Sequence, residues 1–310
     1  MKAILKAALR VVCILPFAAV AAFGQTVNLT AEPATATLPD GSAVPMWGYS
    51  CGAVAGATCA KLNPAAAAGV WSPVVITVPP GPLTISLTNS LTFGANSVPT
   101  SLVIVGQLGG GLGTTATSMP GPDHSGAQPI TWPIADPTPT GVPPVQGLRV
   151  QSFSTEILAG VTTSLTWTAL RPGTYLIESG THPSIQGPMG LYGMLVVTTA
   201  PVGTTAGIAY PAVGTTPAVN YNAEVPLLLS EIDPVQNRAV STAVNTAGFS
   251  ETAVWSGQPG QCGNPSSAVG IVNTCYPPAV NYSPLYYLFN GVAFNKASAA
   301  ASLFPSSPAT

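Results

Sequence analysis

Apolar and polar residues alternate along residues 73–91, PVVITVPPGPLTISLTNSL. Leu83, Ile85 and Leu87 fall on one face of a strand, and Thr84, Ser86 and Thr88 on the other. A period of two marks a strand with one buried face. SLVIVG (101–106), TTSLTWTAL (162–170), GTYLIES (173–179) and GMLVVTT (193–199) read as further strands, divided by turns rich in proline and glycine. Beyond residue 24 no helical period is visible, so the pattern predicts no amphipathic helix. Short strands among 33 prolines and 32 glycines predict an all-β chain, an antiparallel sandwich with Greek-key links.

The same pattern divides the chain. Residues 107–148 form one long excursion without a strand period, a length usually given to functional or mobile loops. Residues 201–220 read as a linker, in which VGTT occurs twice as low complexity. EVPLLLSEID (224–233) opens a new alternating segment, and PLYYLFNGVAF (284–294) reads as a strand and a turn. The expected division is a leader over 1–24, a first sandwich domain over 25–200, the linker, and an incomplete second unit over 221–310.

The leader reading rests on chemistry. Lys2, Lys6 and Arg10 precede the apolar run VVCILPFAAVAA, and AFG before Gln25 offers a small-residue cleavage site. That run is short for a bilayer span and contains Pro16, so the mature chain is expected outside the cytoplasm with no membrane span. Cleavage removes three of eight basic residues and none of ten acidic ones, moving the formal net charge from −2 to about −5. Five scattered basic groups make no stripe, which argues against nucleic acid as a partner.

Four cysteines remain, in two local pairs. Cys51 with Cys59, and Cys262 with Cys275, are expected to close short loops in an oxidising compartment, each disulfide contributing about 2–3 kcal/mol in the chain-entropy account. No CxxC spacing and no nearby histidine favours zinc instead.

Chemistry-bearing residues are few. His182 and His124 are the two histidines. His124, beside Asp123 in the long excursion, reads as a solvated loop residue. Ser179, His182 and Asp123 supply the residue types of a hydrolytic triad, but no GxSxG elbow accompanies them. LGGGLG lacks the lysine and helix of a phosphate loop. Asn28 and Asn281 sit in glycosylation sequons. Glu178 reads as a partly buried carboxylate paired with Arg171 or accepting from Ser179 and Thr181. Trp47 and Tyr49 read as packing anchors beside the first disulfide.

TSLVIVGQ (100–107), RPGTYLIESGTHPSIQGPMGLYGMLVV (171–197), EVPLLLSEID and YYLFNGVAF fall in the order found in multicopper oxidases. Over residues 70–295 the chain resembles the N-terminal portion of these laccase-like enzymes, which are built from cupredoxin sandwiches. RVQSFSTEILAGVTTSLTWTALRPGTY (149–175) looks like the lead into their second copper motif. The resemblance implies a cupredoxin-like fold, copper as cofactor, a small-molecule or metal-ion reductant and dioxygen as acceptor. It also implies an HxHG and an HxH motif in the first domain. Val103 and Val105 stand at the two HxHG imidazoles, and Glu178 or Gly180 stands at the first position of the second motif. His182 is the remaining candidate copper ligand, placed at the turn of a strand-turn-strand unit over Tyr175–Tyr192 and expected to hydrogen-bond within it. Copper prefers imidazole and thiolate donors, which valine cannot replace.

Three functions compete at this stage. The first is an exported multicopper-oxidase-type protein whose remaining copper ligands lie in later domains. The second is a copper-free cupredoxin scaffold or binding module in which VIVG packs the core. The third is a surface structural protein, suggested by the low charge and the wealth of Thr, Ser, Ala and Gly.

Overall fold

The structure, a computed structural model, describes residues 24–107, 109, 118–119, 149–150, 156–249, 251, 275–277, 279 and 282–301. The chain opens with β1 (Gln25–Thr37), β2 (Ala43–Ala55), β3 (Thr58–Lys61), β4 (Val74–Val78) and β5 (Gly81–Asn89). Short strands follow: β6 (Thr92–Phe93), β7 (Asn96–Ser97), β8 (Val103–Ile104), β9 (Ser118–Met119) and β10 (Arg149–Val150). Then come β11 (Thr162–Leu170), β12 (Gly173–Glu178), helix α1 (Pro183–Met189) and β13 (Tyr192–Val197). The last elements are β14 (Gly207–Tyr210), β15 (Val219–Tyr221), β16 (Leu229–Ile232), helix α2 (Pro234–Val244), β17 (Tyr286–Phe289) and β18 (Val292–Ala293).

Two sheets face each other. One has the order β11-β5-β1-β2 and the other β3-β4-β13-β12-β8. Each contains one parallel pair, β1 with β5 and β4 with β13, so strands distant in sequence lie side by side. This is the two-sheet, all-β sandwich that the alternation implied, but its sheets are mixed rather than purely antiparallel, because β1 and β13 are each flanked by one parallel neighbour.

The pattern of β5 shows why the layers meet as they do. Leu83, Ile85 and Leu87 are fully buried and pack with Val27, Leu29, Leu165 and Trp167 of their own sheet against Val74, Ile76, Ile177 and Leu195 of the other. Burying each of these side chains stabilises the fold by about 1.5–3 kcal/mol before chain entropy is set against it. On the outward face Thr84, Ser86 and Thr88 meet Thr166, Ser164 and Thr162, with hydroxyl pairs at 3.2, 3.4 and 2.8 Å. Trp47 and Tyr49 are buried anchors four and two strand positions before Cys51, which is bonded to Cys59 with Cα atoms 5.8 Å apart. Cys275 is buried and disulfide-bonded; Cys262, its expected partner, lies outside the described residues.

The expectation of no helix past the leader is overturned. Asp233 caps α2 by accepting from the N–H groups of Val235 and Gln236 at 2.9 and 3.1 Å, with Pro234 at the first turn. The buried face of α2 includes Gln236 and Asn237 beside Val240, Ala243 and Val244, so polar residues interrupt its apolar stripe. Asn237 Nδ2 donates to the Pro45 carbonyl at 3.1 Å, and Val240 and Val244 join the main core. Asn96 Nδ2 donates to the carbonyls of Val244 and Thr246 at 2.8 and 2.9 Å, fixing the far end of the helix.

Residues 201–220 carry part of a ribbon, β14 against β15. The three strands β16-β17-β18 form a small sheet, turned at Asn290 and Gly291, both with positive φ (51° and 84°) as a tight hairpin requires. Its Ile232 and Leu288 share a second core with Val44, Met46 and Trp71. The segment after residue 221 therefore rests directly on the first sandwich. Among the described residues, no helix is long and apolar enough to cross a membrane.

Candidate functional site

β8 and β12 put the two motifs side by side. Val103 pairs with Glu178 and Ile104 with Ile177, and the Val105 N–H donates to the Leu176 carbonyl at 2.9 Å. Alternation along the strands then assigns the faces. Ile104 and Ile177 enter the core, whereas Val103 and Glu178 take the outer side of the sheet. Val103 is buried there, Glu178 is half-buried, and Val105 is 46% exposed. VIVG therefore does not pack the core as a unit. β8 ends after Ile104 and the chain turns through Val105 and Gly106, whose φ is 83°.

Glu178 makes no hydrogen bond to Ser179 or Thr181 and no ion pair with Arg171. Arg171 Nη2 donates instead to the Gly106 carbonyl at 2.7 Å. Burial raises the Glu178 pKa, because the charged form loses water. Burial also raises that of Tyr49, with the Glu178 charge as the lesser cause.

Next to this pair, five buried polar side chains close a network: Thr100, Ser101, Ser179, Thr181 and Gln186. Gln186 is the hub. Its Oε1 accepts from Ser179 Oγ at 2.7 Å and from Thr100 Oγ1 at 2.8 Å, while its Nε2 donates to the Pro99 carbonyl at 2.8 Å. Ser101 Oγ accepts from the Gly180 N–H and from Thr181 Oγ1, both at 3.0 Å. The Thr181 N–H donates to Ser179 Oγ at 3.1 Å, and the Tyr49 hydroxyl to the Ser101 carbonyl at 2.9 Å. A buried network of this kind is worth having only when its members are satisfied, and these satisfy one another.

His182 follows directly. Its backbone is left-handed, φ 40° and ψ 58°, and its carbonyl accepts from the N–H groups of Ile185 and Gln186 at 2.9 Å each, starting α1. Such a conformation costs a non-glycine residue about 1–3 kcal/mol. The side chain does not hydrogen-bond within the Thr181–Pro183 turn, which corrects that expectation. Nε2 lies 2.7 Å from Glu251 Oε2, with the imidazole 28% and the carboxylate 10% exposed. The ring meets Tyr276 edge-on at 5.8 Å, and Tyr276 packs against Phe249 at 5.3 Å and Trp47 at 6.5 Å. Burial pushes the Tyr276 hydroxyl well above its ordinary pKa, and the nearby Glu251 charge adds to the rise. The strand-turn-strand expectation also becomes strand-helix-strand, since α1 fills the turn.

Trp71 fixes the end of α1. Its Nε1 donates to the Gly190 carbonyl at 3.1 Å, and its ring lies edge-on to Tyr192 at 5.5 Å. Gly190 has φ 111°, and a β-carbon there would collide with Trp71 Nε1 and the Trp47 carbonyl. No larger residue fits at this crossing.

The triad residues do not assemble from what is described. The Ser179 hydroxyl serves Gln186, and Asp123 lies outside the described residues, as do His124 and Asn281. Asn28 is exposed on β1.

Whether these groups suit copper is a question of donors. Copper takes imidazole nitrogen or thiolate sulfur. The implied positions offer Val103, Val105 and either Glu178 or Gly180, the adjoining polar groups are neutral hydroxyls and one amide, and His182 is engaged with Glu251. Among the described residues no three His, Cys, Asp or Glu side chains cluster. The donor set does not fit a copper site. Gln186, Thr100 and Ser101 lie within the two motif segments, but as neutral polar residues they carry no sequence signal of the network they form. Glu251 and Tyr276, far along the chain from His182, left no local signal.

No protein-family profile and no curated protein sequence matches the chain. Solved structures similar to it include the blue copper oxidase from Nitrosomonas europaea, at 15% identity and TM-score 0.36, covering 87% of this chain and 54% of that one. A multi-copper oxidase from Pseudomonas thermotolerans is 16% identical with TM-score 0.33, covering 56% of this chain and 29% of that one. The copper nitrite reductase from Nitrosomonas europaea is 16% identical with TM-score 0.31, covering 56% and 40%. The matched region thus spans at most about half the length of these copper proteins.

Proposed function

We propose that this chain is a copper-free cupredoxin-fold module, an exported scaffold or binding domain that does not itself carry out laccase-type chemistry. One observation carries the reading. Where the motif resemblance implies imidazoles, the chain has Val103, Val105 and either Glu178 or Gly180, and a closed network around Gln186 stands beside them. A buried hydroxyl network whose donors are already spent offers a metal ion no strong ligand. The leader-like start and the Cys51–Cys59 disulfide support export. Under this reading, oxidation of a phenolic or metal-ion reductant with dioxygen belongs to copper ligands outside this sandwich.

The test is equilibrium dialysis of the purified chain against copper, followed by metal analysis, visible absorbance and an oxidase assay. The expected result is less than one tightly held copper per chain, no blue band and no turnover. A stoichiometric copper with oxidase activity would establish the enzyme reading in its place.

A further inference from the structure

The outer face of β13 and the segment after β15 border a half-open cavity of about 370 Å³. That is within the range of small-molecule pockets. Met194, Val196, Val225, Pro226 and Leu227 give it an apolar lining. Two aromatic residues, Tyr210 and Tyr221, line it as well, with Glu224.

The polar end is built rather than incidental. Thr198 Oγ1 lies 3.0 Å from the Tyr221 hydroxyl, which donates to Glu224 Oε2 at 3.1 Å. The Tyr221 ring packs over Gly207, where a β-carbon would come within 2.7 Å of it, so the ring is held in place. No lysine or arginine is among the described residues that line the cavity. Tyr210 is 52% exposed, leaving its ring accessible. An apolar chamber with one negative charge and two π-faces complements an apolar body carrying a positive charge.

We infer that this cavity binds organic cations, meaning ammonium groups attached to a small hydrophobic body. Glu224 supplies the charge, Tyr210 and Tyr221 supply the faces, and Met194 and Leu227 hold the apolar part. The site is remote in chemistry from the His182 bend and does not depend on copper.

The experiment is calorimetric titration of the full chain with benzyltrimethylammonium chloride and, separately, with sodium benzylsulfonate. The cation should saturate one site while the sulfonate shows no binding. Glu224→Gln should weaken the cation about fivefold, the scale of a solvent-screened charge contact. Tyr210→Ala should weaken it about threefold by removing one π-face. Both residues are exposed, so thermal unfolding should match the parent chain. Absence of saturation, equal binding of the sulfonate, or an unchanged affinity in Glu224→Gln would each overturn the assignment.

Discussion

Gln186→Leu removes the hub of the polar network without much change in volume. Three bonds disappear: the two accepted at Oε1 from Ser179 and Thr100, and the one donated to the Pro99 carbonyl. Thr100 and Ser179 lie 3.3 Å apart and can turn toward each other, and Ser179 Oγ also has the Thr181 carbonyl at 3.3 Å. Both hydroxyls can thus regain a partner, whereas the Pro99 carbonyl does not. An unsatisfied buried group costs about 1–3 kcal/mol, so the expected loss is about 1–3 kcal/mol. Against the total stability usual for a domain, that is a large fraction. Urea unfolding, followed by tryptophan fluorescence, should show a lower midpoint with an unchanged slope. A loss below about 0.5 kcal/mol, the level of an ordinary surface change, would refute the claim that the network holds the bend between β12 and α1.

Two further outcomes follow from the same neighbourhood. Burial raises the Glu178 pKa, so the folded chain holds more protons than the unfolded one between the ordinary carboxylate range and the raised value. Stability falls as pH rises through that window, and Glu178→Gln should raise the unfolding temperature at neutral pH with the gain vanishing in acid; a gain independent of pH would refute it. Gly190→Ala sets a β-carbon against Trp71 and the Trp47 carbonyl at a φ of 111° and should cost about 3 kcal/mol or more, read by thermal unfolding and a shift in tryptophan emission.

The sandwich was legible wherever one face of a strand is buried and the other wet. β5 is the clearest case, since its leucines and isoleucine fill the core while its hydroxyls pair on the surface. The Asn290–Gly291 hairpin was legible too, because few dipeptides adopt two positive φ angles in succession. The helix α2 was not. Its start signal, Asp233 before Pro234, was present, but buried Gln236 and Asn237 break the apolar stripe that a helical period needs. With a proline at its start and Gly187 and Pro188 inside, α1 has almost no intrinsic helix tendency; tertiary contacts with Trp71 and the network impose it. At the site, local residues showed what the two motifs lack, whereas the Glu251 and Tyr276 partners of His182 come from a distant stretch that only folding brings near.

The most direct test of the central claim is residue-resolved NMR of the chain during addition of substoichiometric Cu(II). If hydroxyls, one amide and apolar side chains have taken over the ligand positions, the amide signals of Thr100, Ser101, Gly180 and Thr181 should keep their intensity. Paramagnetic loss centred on those four residues would show copper seated at the bend and would contradict the account.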